Sequence, residues 1–192
     1  LNIAVIALAV LGLSLPLSAA HADCVDDAAA HHGVNPLVLR AIGWHESRLR
    51  PEAVARNANG SVDIGAFQIN SIHLRRLSAY GIQAEALKNG CVSAYVGAWH
   101  YRQQVSRHGN SWRAVGAYHS NTPARSAWYA NAIAGVLMKW KVAPAGPLPY
   151  PVGSTLAPGQ TNARPIRSTQ SDAVDPVTAA VFDQGAAGPN SF

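Results

Sequence analysis

Apolar residues recur at helical spacing through most of the chain. Leu39 and Ile42 share a stripe with Glu46 at i, i+3 and i+7. Asn35 is a good N-cap and Pro36 suits the first helical position, so a helix is predicted over 36–47. Residues 24–32 read as a shorter helix ended by Gly33. Residues 72–80 read as helical with Gly81 as the stop, and 84–88 as a helical turn closed by Asn89-Gly90. A long helix is predicted over 91–108, with Tyr95, Ala98, Trp99 and Arg102 at helical spacing and Gly109 just past its end. Ser111 caps a short helix reaching Tyr118, and Ser120-Asn121-Thr122-Pro123 breaks the chain. A last helix follows over 125–141, with Trp128, Ala132, Val136 and Trp140 on one face. Pro51 opens a turn or short helix, and Asn57-Ala58-Asn59-Gly60 is a strong turn signal. No segment alternates with period two, so the fold class is mainly α with little or no sheet.

The two ends differ from this middle. Residues 1–22 carry an apolar run from Ile3 to Leu13, then Pro16, and Ala20-His21-Ala22 fits a small-x-small cleavage pattern. They read as a signal peptide with Asp23 as the mature start, although no basic residue precedes the run. The run is too short for a comfortable membrane span. Residues 142–192 hold eight of the twelve prolines, no Trp and one Tyr. Such a composition buries too little apolar surface to offset ordering entropy, so 142–192 reads as a disordered tail. The folded domain is then 23–141.

Export changes the meaning of the cysteines. Cys24 and Cys91 are the only two, and in an oxidising compartment they are expected to pair, with two unpaired thiols as the alternative. Charge separates along the chain as well. Residues 23–141 carry 13 basic and 7 acidic side chains, against 2 and 3 in 142–192. A basic domain suits an anionic polymer such as nucleic acid, acidic lipid or an acidic wall glycan, and no nucleic-acid-binding module is recognisable.

Candidate chemistry narrows to carboxylates. His45-Glu46 would begin a zinc-protease motif, but the required second His is Leu49. The other histidines are scattered, and neither a nucleophile elbow nor a phosphate loop occurs, so no metal or cofactor is expected. Glu46 and Asp63 are the carboxylates in apolar surroundings. Burial and a helix C-terminus both favour protonated Glu46, as a general acid requires. The competing reading is a surface Glu46 paired with Arg50 at i+4. Asp63 is either the second carboxylate of a glycosidase or the support of the Asn57–Gly60 turn.

Four ordered blocks carry a resemblance: Trp44-His45-Glu46-Ser47, Asn57 to Asn70, Ala117-Tyr118-His119-Ser120-Asn121, and Tyr129-Ala130-x-x-Ile133. Over about residues 24–141 the chain resembles the soluble-lytic-transglycosylase-like domain, with its goose-type-lysozyme-like fold. Cys24 and Cys91 resemble those of the small branch linked to conjugation, type III and type IV secretion, and pilus assembly. The resemblance implies a periplasmic enzyme that cleaves the bond between N-acetylmuramic acid and N-acetylglucosamine in peptidoglycan without water. It implies Glu46 as the acid and then the base, Ser47 as a supporting residue, and Gln68 and Asn70 as cleft-lining groups. Tyr118 matches the tyrosine beside the catalytic Glu, and Tyr129 the one from the final helix.

The departures sit in the second and third blocks. Gly65-Ala66-Phe67-Gln68 stands where the family usually has Gly-Leu-Met-Gln, so Phe67 is expected to fill the space of the Met. His119 replaces an Asn that contacts sugar, and Asn121 replaces a Gly whose left-handed backbone Asn can adopt. The rival functions are a hydrolase on the same fold, with Asp63 positioning water, and a non-catalytic peptidoglycan-binding assembly protein.

Overall fold

The computed structural model describes residues 23–151. The expected signal peptide and the tail beyond 151 lie outside the described residues. Six α-helices run in order: α1 Cys24–His32, α2 Pro36–Ser47, α3 Leu74–Leu77, α4 Gly90–His108, α5 Trp112–His119 and α6 Pro123–Lys139. Between α2 and α3 lies a small antiparallel sheet, β1 Val54–Arg56, β2 Val62–Ile64 and β3 Ile69–Asn70. Val54 faces Ile64, Arg56 faces Val62, and Asp63 faces Asn70. The fold is mainly helical, as expected.

Helix starts follow side-chain chemistry. Asn35 Oδ1 accepts from the N–H groups of Leu37 and Val38, Asn89 from Cys91 and Val92, and Ser111 from Ala114. The last helix starts two residues before its expected position, because Pro123 occupies its first turn instead of breaking the chain. The strands are two or three residues long, too short to register as alternation. Their hairpin is made by the expected turn: Asn57 N–H donates to the Ser61 carbonyl, and Gly60 takes φ +83°.

Helix α4 runs through the core, burying Ala94, Val96, Gly97, Ala98 and Tyr101. Its first turn is tied to the start of α1 by the Cys24–Cys91 disulfide, which closes a separation of 67 residues. In the chain-entropy picture such a loop contributes about 4 kcal/mol, and often less. Arg40 of α2 forks onto Asp23 and Asp26 at 2.5 and 2.7 Å, fastening α1 to α2.

Phe67 lies wholly buried between α2 and α4. Both helices offer it a glycine, since a Cβ on Gly43 or Gly97 would come within 2.9 or 2.6 Å of the ring. The ring thereby pins the β2–β3 turn against the helices.

The chain does not leave the domain at 142. Val142 N–H donates to the Leu137 carbonyl, Ala143 is buried, and Asn131 of α6 exchanges two 2.9 Å hydrogen bonds with the Tyr150 backbone. Residues 142–151 therefore pack on α6, where the sequence placed the start of the tail. One asparagine matched to one backbone segment leaves no compositional signal.

Candidate active site

Glu46 sits in the last turn of α2, which ends abruptly just beyond it. Arg48 and Leu49 both adopt left-handed backbone, at φ 61° and 59°. Their N–H groups satisfy the Trp44 and Gly43 carbonyls at 2.9 and 3.1 Å. The turn fits because Gly43 leaves room for Leu49, whose Cδ2 would lie 2.5 Å from an added Cβ. Consecutive left-handed L-residues cost roughly 1–2 kcal/mol each, a strain that concentrates at functional sites. Gln68, at φ 46°, is a third such residue beside the same carboxylate.

The Glu46 carboxyl accepts a 2.5 Å hydrogen bond from the Tyr129 hydroxyl of α6. Burial pushes its pKa up to about 7; the Tyr129 bond opposes this, and the neighbouring Asp63 charge adds to it. Burial thus supplies the acidity that the sequence suggested. Arg50 does not pair with Glu46: its Nε donates to the Ser47 carbonyl at 2.9 Å.

Glu46 opens into a cleft of about 730 Å³ between the sheet and the α4–α5–α6 wall. Gln68, Asn70, Tyr118 and His119 line it with Asp63. Asp63 is held by carboxamides: Asn57 Nδ2 donates to one oxygen at 2.9 Å and Asn70 Nδ2 to the other at 2.7 Å. It therefore supports the hairpin and faces the cleft as well. Asn70 also caps the following turn through Ile72 N–H. Gln68 Nε2 is spent on the Gly65 and Ala53 carbonyls at 2.9 and 3.2 Å, leaving its side-chain oxygen for a ligand.

Ser47 is brought to the site without lining the cleft. Its buried hydroxyl donates to the Ala66 carbonyl at 2.8 Å and accepts from Arg50 N–H at 2.9 Å. It locks the end of α2 to the β2–β3 turn and is not placed to touch a ligand.

The two tyrosines have distinct partners. Tyr118 donates to the Phe67 carbonyl at 2.9 Å, while Tyr129 is the one bonded to Glu46. Their rings stack at 6.2 Å. His119 lies flat on Tyr129, with centroids 5.0 Å apart and planes 1° apart. Burial and the Arg125 charge lower its pKa, so it is uncharged near neutrality. Asn121 does not adopt the expected left-handed backbone. The turn into α6 is made instead by extended Ser120, whose Oγ accepts from Thr122 N–H at 3.1 Å.

The sequence missed one wall of the cleft. His100, Gln104 and Arg107 stand at i, i+4 and i+7 on α4 and face it, with Arg125 at the start of α6. The spacing was available; the stripe on the other side, Tyr95 and Trp99, was the more conspicuous. His100 Nε2 lies 3.1 Å from the Tyr118 carbonyl, which can only accept, so Nε2 carries the proton. Burial drives this ring down to about 4, so Nδ1 is an acceptor.

Comparison with known proteins agrees with this geometry. A family model described as the Transglycosylase SLT domain matches residues 23–135. The invasion protein IagB of Salmonella typhimurium (strain SL1344) is 40% identical over 114 residues, covering 58% of this chain and 71% of the relative. Protein IpgF of Shigella flexneri is 37% identical over 102 residues, covering 53% and 67%. X polypeptide of Escherichia coli (strain K12) is 38% identical over 99 residues, covering 51% and 59%. The chain belongs to the transglycosylase SLT domain family, the lytic transglycosylases.

Proposed function

We propose that this chain cleaves peptidoglycan strands between N-acetylmuramic acid and N-acetylglucosamine, with Glu46 as acid and then base, leaving 1,6-anhydro ends. The observation that carries the proposal is a cleft carboxyl whose pKa is raised to about 7 while one oxygen is held by a buried tyrosine. Glu46 donates its proton to the glycosidic oxygen as the bond to C1 breaks. The carboxylate then removes the proton of the muramoyl 6-hydroxyl as that oxygen bonds to C1. Bonds and protons balance, Glu46 ends protonated, and no water is consumed. A single carboxyl near neutrality serves both steps. Gln68 and Asn70 contribute polar edges to the sugars, His119 a contact beside Tyr129, and Ser47 holds the end of α2.

The hydrolytic alternative is favoured by the presence of Asp63 in the same cleft. It is disfavoured because both Asp63 oxygens are already engaged by carboxamides. Mass spectrometry of purified wall digests decides: anhydro ends are expected, and reducing ends would assign the hydrolase. Cleavage by neither route would leave a wall-binding assembly protein.

Since Glu46 must start protonated, kcat/KM is expected to fall as pH rises through about 7. Tyr129→Phe removes the donor that favours the carboxylate. Its alkaline limb should move to higher pH, with the maximum reduced about tenfold. A limb that stays in place would remove Tyr129 from control of Glu46.

An exported role in the cell envelope follows from the substrate. Among the described residues no helix is long and apolar enough to cross a membrane. The name of the IagB relative, an invasion protein, supports local opening of the wall for an envelope-spanning secretion, conjugation or pilus apparatus.

A further inference from the structure

The cleft holds two guanidinium groups that the sugar chemistry does not use. Arg107 stands near the end of α4 and Arg125 near the start of α6, and both line the cleft. Neither makes an ion pair among the described residues, whereas Arg40 is neutralised by Asp23 and Asp26. The carboxylates that share the cleft are already occupied, Glu46 by Tyr129 and Asp63 by Asn57 and Asn70. Arg107 lies two helical turns beyond His100, which is bonded to the Tyr118 carbonyl. Arg125 lies beside His119, the residue after Tyr118. The two cations therefore belong to the wall of the cleft built by α4, α5 and α6. Burial and these same arginines lower the pKa of His100 and His119 on this wall, so its permanent positive charge is the pair of guanidinium groups.

A glycan backbone of neutral sugars does not call for cations on one wall. Peptidoglycan carries peptide stems on its muramoyl residues, and those stems end in carboxylates. A planar guanidinium matches a carboxylate with two parallel N–H donors.

We propose that Arg107 and Arg125 are specificity-determining residues that bind the carboxylates of the peptide stems, so that the chain prefers strands whose stems are charged. The proposal rests on the peptidoglycan-cleaving function above. Its site is the α4–α6 wall of the cleft, and its ligand is an anionic peptide attached to the glycan.

The test compares two substrates: purified strands with stem carboxylates intact, and the same strands with those carboxylates converted to amides. For the wild-type chain kcat/KM should be higher on the intact strands, with the difference in KM. In the Arg107→Gln/Arg125→Gln double variant, the ratio between the two substrates should fall roughly three- to tenfold. Arg125→Lys alone should keep more of the ratio than Arg125→Gln, because it keeps the charge. Added salt should erode the wild-type ratio more than that of the double variant. Both side chains are exposed, so the variants are expected to fold, which circular dichroism checks. Equal rates on the two substrates for the wild-type chain would overturn the proposal, as would an unchanged ratio in the double variant. Failure of the wild-type chain to cleave either substrate would overturn the proposed function itself.

Discussion

Glu46→Gln is expected to lower release of anhydro-muropeptides by about a thousandfold or more while the protein becomes more stable at alkaline pH. The loss follows because the amide can neither donate a proton to the glycosidic oxygen nor remove one from the 6-hydroxyl. The fold should survive, since a Gln oxygen still accepts the Tyr129 hydroxyl. The stability change has a definite sign. Folding raises the Glu46 pKa from 4.5 to about 7, so between those values the folded chain holds a proton that the unfolded chain has released. Stability therefore falls as pH rises through that window, and the penalty is complete above about pH 7. Glutamine removes it. The variant should gain about 3 kcal/mol at pH 8 and nothing at pH 4, measured by denaturant unfolding at both values. Full activity in Glu46→Gln would end the catalytic assignment. An equal stability change at both pH values would show that Glu46 is not held protonated by burial.

Local chemistry was the legible part of this fold. Asn35, Pro36, Gly33 and Asn89 mark helix ends within one turn of their own positions, so the helices could be read from neighbouring residues. Glu46 was legible for the same reason, because its stripe with Leu39 and Ile42 implied burial. What escaped depends on distant partners. The hydroxyl bonded to Glu46 comes from Tyr129, 83 residues away. Tyr118, which the family resemblance places beside Glu46, spends its hydroxyl on the Phe67 carbonyl. Ser47 could be recognised as a supporting residue, but only the structure shows that it ties Ala66 to Arg50 and lines no cleft. The His100–Gln104–Arg107 stripe is a helix face like any other until packing turns it toward the site. Asn121 was expected to mimic glycine, but extended Ser120 makes a left-handed residue unnecessary there.

Gly65→Ala is expected to be the most destabilising single-atom addition near the site, by about 3–5 kcal/mol. Gly65 opens the turn between β2 and β3 at φ +80°, a backbone that costs an L-residue about 1–2 kcal/mol. Its surroundings are also closed. An added Cβ would run into the Leu87 carbonyl oxygen and come within 2.8 Å of Ser93 Oγ. Neither neighbour can move freely: the first is backbone, and the second is wholly buried and accepts Phe67 N–H at 3.1 Å. Gly60→Ala separates the two contributions. Gly60 also has positive φ, at 83°, but no atom within 4 Å of the added carbon, so its loss should be the backbone part alone, about 1 kcal/mol. The difference between the two variants in denaturant midpoint, at equal m value, measures the steric part. The Gly65 variant should lose cleavage activity even under conditions where it remains folded. The turn it opens carries Gln68, anchors Ser47 through Ala66, and receives Tyr118 through Phe67. Displacing that turn therefore loosens the end of α2 that presents Glu46. Equal destabilisation of the two alanine variants would show that the Leu87 carbonyl and Ser93 yield to the added carbon, and that the turn is not rigidly held.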